Sequence, residues 1–398
     1  MKPIPYGKQH ITVEDLERVT AVLQSDFLTQ GPCIAEFEEA FAEYIGCKYA
    51  VAVANGTAAL HLAIMALDIK EGDKVITTPI TFAASANCIR YCGGEVVFAD
   101  INPDTYLLDI HSVRQLLEAK PKGTYKGIRP VDFGGYAVDL EAYRKLADEF
   151  GCWILEDACH APGGFFTDTK GEKQFCGNGN FADLAIFSFH PVKHIACGEG
   201  GMISTNNQQF YKELLKLRTH GITRNEDLFT NSLEFAAGTP NIQGYPSWYM
   251  EMQTLGYNYR LTDFQAALGT SQLKRADAGL TRRREIGAKY EIAFKGSHFL
   301  KGQSGLVNGH AYHLYLVEVE DRKGLYDYLR TQQIFAQVHY IPVHLMPYYR
   351  KFGWKEGDMP HAETYYKACL SLPMYPSLTD TEQDYVIEKI KSYYTTQA

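Results

Sequence analysis

The sequence predicts an α/β protein with a large domain on a mostly parallel sheet, residues 1–255, and a smaller α+β C-terminal domain, residues 256–398. Three observations predict it. Strand and helix patterns alternate through the first two thirds of the chain, which is how βαβ units covered on both faces read. From Thr223 to Leu255 that periodicity dissolves into a polar stretch carrying Gly, Pro and the aromatics Tyr245, Trp248 and Tyr249. A long helical pattern then leads into a short strand–helix–strand unit. A chain of 398 residues is also more easily built as two domains than as one.

Taken in order, Ala50–Ala54 is a short apolar strand, and Asn55-Gly56-Thr57 opens a helix over Ala58–Leu67. Lys74–Thr78 is the next strand, ended by Pro79, which has no N–H for a ladder. A helix over Ala83–Tyr91 and a strand over Glu95–Ala99 follow. Leu140–Phe150 is an amphipathic helix, with the buried strand Cys152–Leu155 behind it. Ala182–Phe189 and Met202–Thr205 are two further strands joined by a glycine-rich turn. The stretch 223–255 is a mobile or functional loop, since loops of that length inside a compact enzyme rarely serve only to connect. One long linking helix is expected over Asp263–Phe294. In the small domain, strands His313–Val319 and Phe335–Tyr340 flank a helix over Leu325–Gln332.

Composition removes several classes of function. The net charge of −8 argues against a nucleic-acid surface, which needs clustered Lys and Arg. The one basic cluster, Arg282-Arg283-Arg284, lies in a helical pattern and reads as a solvated face. No apolar run approaches the roughly 18 residues of a membrane span, and Met1–Pro5 does not read as a signal peptide. The nine cysteines contain no Cys-x-x-Cys pair, so they are expected as reduced thiols in a cytoplasmic protein. The pairs His190/His194 and His339/His344 invite a metal reading, but no ligand set is completed and no metal is expected.

Chemistry concentrates in a few places. Lys193 lies in the run Ser188-Phe189-His190-Pro191-Val192-Lys193, followed by Gly198-Glu199-Gly200-Gly201. Most lysines are solvated surface charges. This one sits between an apolar strand and a loop so rich in glycine that backbone or a ligand must pass close by. An amine held away from water or beside a cationic ring loses its proton more easily and attacks carbonyls, as a Schiff-base lysine does. The apolar strand through Trp153-Ile154-Leu155-Glu156 ends on Asp157, where the ligands of open α/β sheets gather. A carboxylate there suits a pyridine nitrogen that must stay protonated to act as an electron sink; otherwise it is a strand-end turn cap. Gly56 and Thr57 open a helix whose free N–H groups suit a phosphate, and Ser188 adds a hydroxyl. Phe82, after the strand that ends at Thr78, can stack on a ring or simply join the core. His160 can press a ring face or orient Asp157. Asn258 offers amide donors to a phosphate, and Arg260 suits a carboxylate or a structural ion pair. Together these are the parts of a pyridoxal 5′-phosphate site.

These segments, with Glu156-Asp157-Ala158-Cys159-His160 and Gly256-Tyr257-Asn258-Tyr259-Arg260-Leu261-Thr262, resemble the DegT/DnrJ/EryC1/StrS-type sugar aminotransferases, from about Tyr6 to the C-terminus. The resemblance implies a fold-type-I, pyridoxal-phosphate-dependent enzyme. Lys193 would form the Schiff base and Asp157 pair with the pyridinium. Gly56, Thr57, Ser188 and Asn258 from a partner subunit would hold the phosphate, with Phe82 and His160 flanking the ring. A homodimer with shared active sites is implied.

Further segments, among them Pro5-Tyr6-Gly7, Ser25–Pro32, Thr219–Arg224 and Val338–His344, resemble the branch of that family in the pseudaminic acid pathway. That branch transfers the amino group of L-glutamate, leaving 2-oxoglutarate, to C4 of UDP-2-acetamido-2,6-dideoxy-β-L-arabino-hex-4-ulose. By this resemblance Tyr6, Phe27, Thr29, His339 and Tyr340 would touch the nucleotide sugar. An aminotransferase for another nucleotide-linked 3- or 4-keto-deoxysugar is the alternative.

Overall fold

The computed structural model describes residues 2–303 and 308–397. A seven-stranded sheet lies at its centre. In chain order the strands are β1 Tyr49–Val53, β2 Lys74–Thr77, β3 Glu95–Phe98, β4 Tyr125–Arg129, β5 Trp153–Asp157, β6 Leu184–Ser188 and β7 Gly201–Thr205. Across the sheet they run β1-β7-β6-β5-β4-β2-β3. Neighbours are parallel except where β7 meets β1 and β6. Strands buried on both faces carry continuous apolar runs, and β1, β2 and β6 do so, which is why their sequences announce them. Strand β4 announces itself poorly because Gly127 interrupts it. A Cβ at Gly127 would lie 2.2 Å from the Trp153 ring, so the indole of β5 takes the place of a side chain.

The other elements follow local chemistry. Helix Gly56–Ala66 is capped by Asn55, whose Oδ1 accepts from the Ala58 N–H at 2.8 Å. Helix Leu140–Phe150 is capped by Asp139 and ended by Gly151 in the left-handed region at φ 75°, the usual device for stopping a helix. The C-terminal region adds a three-stranded sheet of Leu300–Gly302, Tyr315–Val319 and Cys369–Leu372, with Tyr315–Val319 in the middle. The N-terminal arm does not stay with the large sheet: Ile4–Pro5 pairs in parallel with Ile334–Phe335, and Ile4 is wholly buried among C-terminal residues.

Three expectations are corrected. The helix expected over Asp263–Phe294 is two, Asp263–Leu273 and Ala276–Phe294. The halves serve different cores: Ala266, Ala267 and Leu273 pack with Phe37 and Phe41, whereas Ile286, Tyr290 and Phe294 pack with Leu325 and Leu370. One straight cylinder cannot present both faces, so the chain reorients at Lys274-Arg275. The strand expected over Phe335–Tyr340 stops at Phe335; Gln337 makes one bridge to Ser371, and the chain then turns away. The basic cluster is not a solvated face. Arg283 is 1% exposed and its guanidinium donates to the carbonyls of Tyr312, His313 and Met374.

Strands β1, β2, β4, β5 and β6 run the same way, so their carboxyl ends share one edge of the sheet. That edge is where helix N-termini and loops leave room for a ligand.

Candidate active site

A cavity of about 490 Å³ opens at that edge. The exit of β1 supplies Asn55, Gly56 and Thr57, and the exit of β2 supplies Thr81 and Phe82. Strand β5 ends on Asp157 and continues to Cys159 and His160, while β6 ends on Ser188 and leads to Lys193. The C-terminal region contributes His313, His339 and Tyr340, and the N-terminal arm Tyr6. Residues far apart in sequence thus meet because parallel strands deliver their ends to one place.

The glycines act by close approach. A Cβ on Gly201, the first residue of β7, would lie 2.5 Å from the Asn55 carbonyl oxygen, and one on Gly56 would lie 2.9 Å from Ser188 Cβ. The helix entrance is thereby pressed against β6 and β7, with the Gly56 and Thr57 N–H groups in its free first turn. This is a concave cradle with positive potential beside a serine hydroxyl.

Asp157 is held from several sides. Its Oδ2 accepts from Arg129 Nη1 at 2.9 Å and Ser85 Oγ at 2.8 Å, and Ser85 in turn accepts from Thr81 Oγ1 at 2.9 Å. Its Oδ1 accepts the Cys159 N–H at 3.3 Å. Burial pushes this carboxyl up, but the charge of Arg129 and the hydrogen bonds from Cys159, Arg129 and Ser85 outweigh it and hold the group below the ordinary aspartate value. Asp157 is therefore an anion at neutral pH.

Lys193 Nζ lies 3.4 Å from His313 Nε2. Burial lowers the lysine's proton affinity, and the charge of Arg283 adds to that against the opposing pull of Cys159 and Asp157. The imidazoles around it are neutral: burial first, then Lys193, drives His160 and His313 well below 6.5, and takes His339 to about 3. His160 does not orient Asp157. Its Nδ1 accepts the Gly134 N–H at 3.2 Å, and its ring lies 4.3 Å from that of His313. An amine of lowered proton affinity, an anionic carboxylate and a helix N-terminus beside a serine hydroxyl in one cavity fit pyridoxal phosphate.

Of the residues singled out in the sequence, Gly56, Thr57, Phe82, Asp157, His160, Ser188, Lys193, Tyr6, His339 and Tyr340 line this cavity. Phe27, Thr29 and Asn258 do not, and all three are exposed. Phe82 lines it while remaining 63% exposed. The sequence reading missed Arg129, Ser85 and His313. Arg129 had only a weak signal, a charged residue just before Pro130 in a stretch that does not read as an apolar strand. His313 was read only as the start of a strand.

Behind the sheet edge, buried Asp132, Glu156 and Cys176 bring their polar atoms within 4.8 Å of one another. Burial raises both carboxyls, Asp132 to about 7 and Glu156 well above its ordinary value; the charge of Asp132 adds to the rise at Glu156, while the hydrogen bond from Glu156 opposes it at Asp132. The two share a hydrogen bond, as a carboxyl–carboxylate pair with a common proton does.

Known proteins give the context. SpsC, the spore coat polysaccharide biosynthesis protein of Bacillus subtilis, is 39% identical over 98% of this chain and 96% of its own. The UDP-4-amino-4,6-dideoxy-N-acetyl-β-L-altrosamine transaminase of Campylobacter jejuni (strain 81-176) is 35% identical over 98% and 99%. A solved structure from Streptococcus pneumoniae, described as a sugar aminotransferase in its PLP form, superposes with a TM-score of 0.85 at 28% identity over 99% of each chain. The fold is thus fold type I. The family model of the DegT/DnrJ/EryC1/StrS aminotransferases matches residues 9–391, and the chain belongs to that family as a pyridoxal-phosphate-dependent aminotransferase.

Proposed function

We propose that this enzyme transfers the amino group of L-glutamate to C4 of a UDP-linked 4-keto-6-deoxy-N-acetylhexosamine, UDP-2-acetamido-2,6-dideoxy-β-L-arabino-hex-4-ulose. The observation that carries the reaction is the meeting of Lys193, Asp157 and the Gly56-Thr57 helix entrance in one cavity. Similarity to the Campylobacter jejuni transaminase supports the choice of sugar.

When bound, pyridoxal phosphate supplies a carbonyl for amines and a cationic ring that stores an electron pair. Lys193 would hold it covalently through Nζ. As a free amine, Lys193 would take the proton from the donor's α-carbon and, in the second half-reaction, deliver a proton to C4 of the sugar. Burial suits Lys193 to both tasks, because an amine of reduced proton affinity gives up its proton more easily than an exposed lysine. Asp157 holds the ring nitrogen protonated. Gly56, Thr57 and Ser188 bind the phosphate, and Phe82 and His160 border the ring. Tyr6, His339 and Tyr340, on the C-terminal side of the cavity, contact the sugar.

Phe27, Thr29 and Asn258 lie outside their own cavity, which is what a homodimer with shared sites requires. An apolar surface supports it: Val13, Leu16 and Leu23 on helix Val13–Leu23 are 65%, 60% and 55% exposed. Among the described residues no helix is long and apolar enough to cross a membrane, and a cytoplasmic site of action fits a nucleotide-sugar substrate.

The test is a single-turnover assay. Enzyme pre-loaded with the amino group of glutamate is offered UDP- and dTDP-linked 4-keto sugars while the cofactor's visible band is followed. Rapid change only with the UDP-acetamido L-arabino ketosugar supports the assignment. Change with a different 3- or 4-keto sugar instead moves the enzyme to another branch of the family, the alternative that similarity to SpsC keeps in view.

A further inference from the structure

Arg129 is wholly buried and does not itself line the cavity. It closes β4 beside Asp157 on β5. Its Nη1 donates to Asp157 Oδ2 at 2.9 Å, its Nη2 donates to Thr77 Oγ1 at 3.3 Å, and its Nε has no partner among the described residues. With the Ser85 hydroxyl also on Oδ2, one carboxylate oxygen is saturated from behind. Oδ1 accepts the longer Cys159 N–H bond at 3.3 Å, and the carboxylate lines the cavity, where a ligand can reach it. A guanidinium is a costly group to bury, and a neutral donor would suffice merely to fix a rotamer, as Ser85 does.

Other charges do not replace it. The titratable groups that act on Asp157 are Arg129 from β4, Asp132 after β4, Glu156 and Cys159 around β5, Cys88 from helix Ala84–Tyr91, Lys193 after β6 and Tyr340. Only Arg129 and Lys193 can be cations. Lys193 loses its proton more easily here and gives its amine to the cofactor carbonyl, so Arg129 is the counter-charge that persists.

We propose that Arg129 is a positioning residue: it keeps Asp157 an aligned anion before the cofactor arrives, so that pyridoxal phosphate binding does not depend on pH near neutrality. This rests on the reading of Asp157 as the partner of the ring nitrogen. Without Arg129 the buried carboxyl would favour its neutral form. Binding a protonated ring nitrogen would then require release of that proton, so affinity would rise with pH.

The experiment titrates the cofactor-free full-length protein with pyridoxal phosphate and with its 1-deaza analogue, in which CH replaces the ring nitrogen, from about pH 6 to about pH 8. Wild type is expected to show a flat affinity for pyridoxal phosphate. Arg129→Met is expected to bind it about tenfold more weakly at the acid end, one pK unit of competition, with the gap closing as pH rises. Arg129→Lys should restore the flat profile, and the deaza analogue should bind Arg129→Met no worse than wild type. Equal weakening of both ligands at every pH would reveal a merely structural arginine and overturn the proposal. Asp157→Asn separates the two readings. If it binds pyridoxal phosphate like wild type, the role of Asp157 itself fails; if it is weakened while Arg129→Met is unaffected, only the role of Arg129 fails. Should Arg129→Met not fold, isotope-edited infrared spectra of the cofactor-free wild type against Asp157→Asn decide the matter. A carboxylate at Asp157 near pH 6 supports the proposal, and a protonated acid there ends it.

Discussion

Glu156 and Asp157 are consecutive residues at the end of one strand and both are buried, at 1% and 3% exposure, yet they carry opposite protonation. The pleat sends them to opposite faces of the sheet. On one face Asp157 meets a guanidinium, a hydroxyl and a backbone N–H, and stays ionised. On the other, Glu156 meets Asp132 and the Cys176 thiol with only the Gly177 N–H in compensation, and holds a proton. Burial is common to both, so the partners decide. One face of the sheet is built to keep a single carboxylate ionised and the other to share a proton between two carboxyls.

That contrast can be broken experimentally. The largest effect is expected from Lys193→Ala on the charged face. It should lower transamination by about 10³-fold or more, as loss of a group that is both anchor and proton carrier does, and remove the visible band. Turnover close to wild type would exclude Lys193 as the reacting amine. Asp157→Asn should cost about 10²- to 10³-fold in kcat, the scale of losing one aligned electrostatic partner, with circular dichroism unchanged. The adjacent Glu156→Gln should leave kcat within about threefold, because its carboxyl is already neutral. If the two substitutions cost the same, the faces are not distinct in function. Gly56→Ala follows, since its methyl would press Ser188 at 2.9 Å. Pyridoxal phosphate should bind about tenfold more weakly, equivalent to ~1.4 kcal/mol, as read by fluorescence titration.

The smallest effect concerns stability and has a definite sign. A carboxyl raised in the folded state stabilises fully below its unfolded value, and that contribution is lost as pH climbs through the folded value. For Asp132 the window runs from the ordinary 3.8 to about 7. Asp157, lowered on folding, stabilises above the ordinary 3.8 and loses that contribution as pH falls below it. The Tm of the wild type should therefore decline across the Asp132 window. A double variant, Asp132→Asn with Glu156→Gln, should flatten that decline without altering the acid limb. A slope unchanged in the double variant would mean that the pair does not share a proton.

The active-site reading and the fold differ in how far the sequence carries them. Lys193, Asp157 and Gly56-Thr57 were legible because each sits at a transition from an apolar strand to a polar loop, a local pattern. The strands β1, β2, β5 and β6 were legible for the same reason: burial on both faces writes continuous apolar runs. Strand β4 was obscured because the Trp153 indole stands in for a side chain at Gly127. The break at Lys274-Arg275 was invisible, since helical periodicity continues through it; only two separate cores demand the turn.

The sequence by itself therefore determined the α/β class, most of its parallel strands and several residues that line the cavity, all properties of residues near one another. Tertiary structure alone decided that Arg129 faces Asp157, that His313 lies against Lys193 and that Arg283 is buried. It also decided that Phe27, Thr29 and Asn258 lie outside the cavity that Tyr6, His339 and Tyr340 line. These are meetings between segments distant in the chain. Whether a charge there is solvated, paired or neutral depends on partners that no local pattern names.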